Sequence, residues 1–181
     1  MNNILLISED YIKSNSTLND NCFGKWLLPT IRESQEINLQ NILGSNLFNK
    51  IMSLIENNTI RNVENMGYKA LLDEQIRPYL LYQVQANLIP YINFKLGNIG
   101  SVVSNDEHIQ TLSQGNLELL QNNFQNKADF YARRLQQYIL DKADSLKELD
   151  EDACNKIRQN LDSAATTGLF LGGYRGKKIK K

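Results

Sequence analysis

The sequence is poor in the residues that most often mark a chemical site. Its 181 residues include only two cysteines, one histidine, one tryptophan and three prolines. Cys22 and Cys154 lie far apart, with no CxxC pair and no histidine at ligand spacing, so neither a zinc motif nor a redox motif is present. His108 is the single candidate for a general base of the usual kind. We therefore predict no catalytic activity, no metal and no cofactor.

Net charge and long apolar runs are also lacking. Twenty lysines and arginines balance twenty aspartates and glutamates, which excludes a globally basic nucleic-acid-binding protein. No apolar run approaches the roughly 20 residues of a membrane span. The apolar run Ile4–Ile7 has no lysine or arginine before it, so we expect a short strand or an extended docking segment rather than a signal peptide.

What the chain does have is apolar residues at helical spacing. A first helix is predicted over Leu18–Leu43, with Asn19 or Asp20 as its N-cap. Pro29 either kinks this helix or marks a true start near Leu28, where proline is tolerated in the first turn.

Three more helices and a hairpin follow. We predict helices over Leu47–Ile55 (with Ser45 as its cap and Asn57–Asn58 as its end), Met66–Ile92 (with a break near Arg77) and Ser113–Glu148, and a small β-hairpin over Phe94–Val103. At about 1.5 Å per residue the last helix reaches roughly 50 Å, so we expect it to project into a partner or a neighbouring subunit. The predicted fold is mainly α: a helical bundle over residues 1–150 with one long C-terminal helix and a hairpin near 94–103.

Residues 151–181 form a C-terminal extension of different character. Thr166–Tyr174 is apolar and glycine-rich without helical spacing, and five basic residues follow it. An extended segment of this kind can add to a neighbour's sheet while its lysines reach an acidic surface or phosphate. A frayed, solubilising terminus is the alternative. The candidate partner-binding residues are Leu169, Phe170, Leu171, Tyr174, Arg175, Lys177, Lys178, Lys180 and Lys181.

Charged residues on the long helix are candidates for a subunit interface. Arg133–Arg134 is a basic pair that could serve an interface or line a pore, and an acidic run extends from Asp141 to Asp152. The acidic run is typical of a solvated face, with a charged contact as the alternative. The candidate interface residues are Arg133, Arg134, Asp141, Asp144 and Glu148.

Other chemical motifs are weak. A nucleophilic triad would need His108 beside Cys22 or Cys154, and nothing in the sequence places them together. The glycines of the tail do not form a phosphate-binding loop, because Lys178 stands where serine or threonine would bind magnesium. The cluster Tyr79, Tyr82, Tyr91 and Phe94 is expected in the core rather than on a base-stacking platform.

The order of segments resembles a known family. The runs Ile7–Ile12, Leu28–Gly44, Leu47–Ile51 and Leu71–Leu80, followed by a glycine-containing turn and the Phe124–Leu140 helix, are similar to the head-to-tail connectors of tailed bacteriophages, above all the ring proteins of crAss-like phages. The resemblance covers roughly residues 4–139 and consists of helix-packing residues rather than a signature of chemistry.

The resemblance implies a non-enzymatic adaptor in the neck of the virion. Such proteins form a ring, commonly of twelve copies, that binds the portal protein on one side and the next connector or tail protein on the other. Packaged DNA passes through the ring without sequence-specific binding. A helical interaction or regulatory module that contacts nucleic acid through the basic tail is the second hypothesis, and a small hydrolase using His108 is the third.

Overall fold

The computed structural model describes residues 4–16, 24–97, 100–103 and 114–149, together with residues 154, 156–159 and 161. Its helices are α1 (Glu9–Asn15), α2 (Gly24–Glu33), α3 (Gln40–Leu43), α4 (Ser45–Glu56), α5 (Met66–Leu71), α6 (Arg77–Asn93) and α7 (Gln114–Asp141). Two π segments, Ser34–Leu39 and Leu72–Ile76, join α2 to α3 and α5 to α6, and 3₁₀ turns lie at Val63–Asn65 and Ala143–Ser145. The fold is a helical bundle, as the sequence predicts.

A single central helix, α6, organises the bundle. Its apolar residues occur on nearly all sides, which is typical of a helix surrounded by others. It packs against α2 and both π segments, and most extensively against α7. The buried residues of α6 include Tyr79, Leu80, Leu81, Val84, Ala86, Leu88 and Ile89.

The helix predicted over Leu18–Leu43 is divided by the first π segment. Pro29 lies well inside α2, so the prediction of a start near Leu28 is wrong. Proline has no N–H to donate to the carbonyl four residues earlier. The next residue, Thr30, donates its hydroxyl to the Trp26 carbonyl at 2.7 Å. The proposed caps Asn19 and Asp20 lie outside the described residues.

The second predicted helix corresponds to α4, with a different N-cap. Ser45 is the first helical residue, and the cap is Gly44 at φ 74°, a left-handed conformation that glycine adopts without strain. We expected the Ser45 hydroxyl to cap this helix, but the N-cap position is one residue earlier, at Gly44. Asn57 ends the helix as predicted, and Asn58 follows at φ 55°.

Near Arg77, where a kink or break is predicted, the chain stays helical, and the change is in its hydrogen-bond pattern: the second π segment ends at Ile76, directly before Arg77 and Pro78. The predicted hairpin is present: β1 (Phe94–Gly97) and β2 (Gly100–Val103) pair antiparallel, with Phe94 opposite Val103. The long helix ends at Asp141 rather than near Glu148, because a turn at Lys142 and a 3₁₀ turn at Ala143–Ser145 replace its predicted last turns. At about 1.5 Å per residue its 28 residues span about 42 Å.

The N-terminal run Ile4–Ile7 forms no strand and docks on the bundle in an irregular conformation. Leu6 and Ile7 are buried, and Gln35 of the first π segment holds their backbone. The Leu6 N–H donates to Gln35 Oε1 at 3.2 Å, and Gln35 Nε2 donates to the Ile4 carbonyl at 3.0 Å. The amide therefore satisfies a donor and an acceptor that water cannot readily reach.

Across the helices that the structure describes, none combines the length and the apolar character of a membrane span.

We predict that Gln35→Ala lowers the free energy of unfolding by about 1–3 kcal/mol, because two backbone groups lose their partner. Urea unfolding measures the change. In this variant the backbone amide of Leu6 should also exchange its hydrogen faster than in the wild-type protein, with smaller changes in the rest of the bundle. Asn41→Ala is the control, because Asn41 makes one exposed bond to the Ile37 carbonyl. Equal losses in the two variants would contradict the role assigned to Gln35.

Candidate functional site

The first half of α7 carries apolar side chains but buries none of them. None of residues 115–127 is buried, although Leu117, Leu119, Leu120 and Phe124 all lie there. Leu119 is 70% exposed and Leu120 is 40% exposed. Ala128, Leu135 and Ile139 in the second half are buried at helical spacing. The second half of α7 therefore belongs to the core, and the first half presents an apolar surface.

An aromatic groove lies where the two halves of α7 meet α6. Tyr82 stacks on Tyr131 with ring centroids 5.3 Å apart, and Phe130 meets Tyr131 edge-on at 5.3 Å. Lys127 places its ammonium 5.7 Å from the Tyr82 ring, a cation–π contact. Phe130 is 62% exposed. The groove has a volume of about 510 Å³ and is lined by Tyr82, Leu119, Asn122, Asn123, Asn126, Lys127, Phe130 and Tyr131.

A second surface, which we call the α2 face, consists of Trp26, Glu33, Ile37 and Tyr91. The residues Trp26, Glu33 and Ile37 follow one another at helical spacing along α2 and the first π segment. Tyr91 of α6 stacks on Trp26 at 6.5 Å and donates its hydroxyl to Glu33 at 3.1 Å. Ile37 is 58% exposed and Tyr91 is 37% exposed. This face is built from different side chains than the aromatic groove, and α6 contributes to both.

A line of polar side chains, the polar seam, connects the three elements behind these surfaces. Gln83 Nε2 of α6 donates to Asn87 Oδ1 at 3.0 Å and to Gln125 Oε1 of α7 at 3.4 Å. Asn87 Nδ2 donates to Ser34 Oγ at 3.0 Å and to Asn38 Oδ1 at 3.1 Å. Gln83 and Ser34 are buried, so these bonds are specific constraints on how the helices align.

The residues predicted to form a subunit interface differ in their exposure and in the contacts that they make. Arg133 and Arg134 are exposed on α7 and do not line the aromatic groove. Asp141 accepts a bond from Gln137 at 2.9 Å, and Asp144 is exposed in the 3₁₀ turn. Glu148 is engaged within the chain, which reduces its availability to a partner.

Glu148 attaches the segment after α7 to two other helices. Its Oε2 accepts the Tyr68 hydroxyl of α5 at 2.5 Å, and its Oε1 lies 3.8 Å from Lys50 Nζ of α4. Burial, followed by the hydrogen bond to Glu148 and its charge, raises the pKa of Tyr68 to about 12. The expectation that the acidic run forms a solvated face is therefore wrong for Glu148, which makes the charged contact that was the alternative, within its own chain.

Several predicted residues lie outside the described part of the chain. These are the tail residues 169–181 and the possible triad members Cys22 and His108. Cys154 is described, and its thiol is buried. Among the described residues no group of three or more histidine, cysteine, aspartate or glutamate side chains is arranged to hold a metal ion.

Sequence reasoning missed the residues that make the aromatic groove. Leu119 and Phe130 lie off the apolar stripe by which α7 is recognised, and an apolar residue off the stripe is the signal that would have found them. Tyr82 was grouped with the core aromatics although it faces away from the stripe of Leu80 and Val84, and it is half-buried against Tyr131. Among the other aromatics, Tyr79 is buried as expected, whereas Tyr91 is exposed.

Comparison with known proteins gives one match. Residues 39–163 match a family of unknown function, DUF6712. The matched span covers more than two-thirds of the 181 residues. The chain belongs to DUF6712. No curated protein and no solved structure matches it. The DUF6712 span contains the whole aromatic groove but only Tyr91 of the α2 face.

We predict that ionisation of Tyr68 lowers the free energy of unfolding at alkaline pH. A phenol whose pKa is raised by folding, here from 10.0 to about 12, stabilises the native state fully below pH 10 and loses that contribution as pH rises towards 12. Tyr68→Phe should therefore flatten the fall in unfolding free energy between pH 10 and 12. Urea unfolding across this range measures it.

Glu148→Gln is the matched control for the cause. Because burial is the largest contribution, the Tyr68 pKa should fall only part of the way to its ordinary value in this variant. Ultraviolet titration of the tyrosines would show the shift. A full return to the ordinary value would mean that Glu148, rather than burial, dominates.

Proposed function

We propose that this protein is a structural component of a bacteriophage virion, an adaptor that assembles as a ring of about twelve copies between the portal and the tail. The order of segments from Ile7 to Leu140 supports this role through its resemblance to head-to-tail connectors. The structural observation that carries it is the first half of α7, whose apolar side chains have no buried position. Exposed apolar surface of this kind marks interaction sites on globular proteins.

A cyclic ring requires two different surfaces on each copy. Each interface is heterologous, so one patch of a subunit meets another patch of the next. The aromatic groove and the α2 face meet this requirement, because they use different side chains and both expose apolar groups. Their charges are suited to each other at the Ile37 end of the α2 face: Lys127 lies in the groove, and Glu33 and Glu36 accompany Ile37. At the Trp26 end the α2 face carries a cation, since Lys25 Nζ lies 5.5 Å from the Trp26 ring. In this arrangement Ile37 of one copy enters the groove of its neighbour.

The remaining parts of the role rest on the resemblance to head-to-tail connectors, and the composition is compatible with them. A connector needs no catalytic residues, since it binds the portal protein on one side and another connector or tail protein on the other. Its net charge of zero suits a channel through which DNA slides, because a strongly basic lumen would retain the phosphates. The basic tail from Arg175 to Lys181 is a candidate contact with either neighbour.

We predict that Phe130→Asp and Ile37→Asp each abolish self-association of the full-length protein. Both side chains are exposed, so the variants should fold normally, while a carboxylate in an apolar contact is strongly unfavourable. Analytical ultracentrifugation up to millimolar concentration measures the assembly. Val63→Asp is the control, because Val63 is 92% exposed and lies in neither surface.

Mixing the two variants tests the pairing itself. Each variant keeps one intact surface, so an equimolar mixture should form a 1:1 dimer that neither variant forms alone. A surface that pairs with itself would instead leave one variant fully assembled and give no mixed dimer. Loss of assembly in Val63→Asp, or no association of the wild-type protein at any concentration, would contradict the proposal. Tight, salt-dependent binding of short duplex DNA by an unassembled protein would favour a regulatory module.

A further inference from the structure

A second groove lies away from the aromatic groove, between the docked N-terminal segment, the end of α4 and the start of α6. Its volume is about 590 Å³. It contains three cationic side chains, Arg61, Lys69 and Arg77, and one carboxylate, Asp73. The remaining lining residues are Leu5, Leu6, Ile55, Asn58, Ile60 and Leu72. The groove therefore has a local excess of two positive charges, although the net charge of the whole protein is zero.

Two of the cations are held in place by the chain. Lys69 Nζ lies 2.7 Å from Asp73 Oδ2, and Arg77 Nη1 lies 2.6 Å from Asp73 Oδ1. The Arg77 guanidinium also lies 5.8 Å over the Tyr11 ring. Each cation keeps 37% of its side-chain surface exposed, so both remain accessible to a ligand.

Apolar residues make up part of the groove lining, which we call its floor, beside the charged residues. This mixed lining separates the possible ligands. Leu6, Ile60 and Leu72 are buried around it. A nucleic-acid backbone offers phosphates but no apolar side chain for such a floor. A polypeptide that contains both acidic and apolar residues offers both kinds of group. Arginine is the residue that best binds carboxylates, through two parallel hydrogen bonds.

We propose that this cationic groove binds an acidic segment of a partner polypeptide, with a carboxylate on Arg61 and Arg77 and an apolar side chain on the floor. Asp73 holds Lys69 and Arg77 but also competes with the ligand for them. This site is separate from the surfaces assigned to ring assembly, so either proposal can fail alone.

Fluorescence anisotropy of the full-length protein with a labelled peptide of alternating glutamate and leucine tests the site. Arg61→Gln should weaken binding by about tenfold or more, as expected for the loss of a charge-assisted hydrogen bond. Arg61 is exposed, so the substitution should not disturb folding. Lys147→Gln, at an exposed cation outside the groove, is the control and should bind as the wild type does.

Asp73→Asn distinguishes a binding site from a merely structural ion cluster. Removing the competing carboxylate should tighten binding of the acidic peptide, whereas loss of a needed structural contact would weaken it. The proposal is overturned if Asp73→Asn weakens binding, if Arg61→Gln has no effect, or if a peptide of glutamine and leucine binds equally well. Preference for a short DNA duplex over the acidic peptide would also overturn it.

Discussion

The alignment of α6 with its neighbours is the constraint on which the other surfaces depend. Helix α6 is apolar on nearly all sides, and apolar contacts alone would tolerate small shifts along its axis. The polar seam removes that freedom, because Gln83 and Asn87 must meet Gln125 on one side and Ser34 and Asn38 on the other. A shift of one helix would leave the buried side chains of Gln83 and Ser34 without these partners, at a cost of about 1–3 kcal/mol for each. The seam therefore fixes where α2 and α7 lie on α6.

Both surfaces assigned to assembly are consequences of that alignment. Tyr82 contributes to the aromatic groove only because α7 places Tyr131 over it, and Tyr91 contributes to the α2 face only because α2 places Trp26 against it. The two rings lie on one helix, so the distance between the surfaces is set by α6 rather than by a loop. A rigid spacing of this kind suits a closed ring, in which the angle between the two interfaces of each copy determines how many copies close it.

Helical spacing predicted the bundle and the long helix, and glycines between apolar residues predicted the hairpin, because each depends on a local pattern in the sequence. The same patterns did not reveal the π segments. A π turn holds one more residue than an α turn, and this difference leaves no mark on the pattern of apolar residues. Ser34 and Gln35 of the first π segment are buried at a place where we expected an uninterrupted α-helix. The end of α7 was placed too late because the residues after Asp141 continue the helical pattern, while Glu148 is held by Tyr68 and Lys50, which are distant in sequence. The aromatic groove was missed for a similar reason. The position of Phe130 off the apolar stripe of α7 is visible in the sequence, but only the folded chain shows that its exposed ring lies beside Tyr131 and the groove that α6 helps to form.

Cryo-electron microscopy of the concentrated wild-type protein tests the central claim most directly. The account predicts closed rings of one size in which the α7 groove of each copy contacts the Ile37 surface of the next. A two-fold dimer, in which the same surface lies on both sides of the interface, would contradict the heterologous arrangement. Particles that remain single copies throughout would contradict self-assembly as the function of these surfaces.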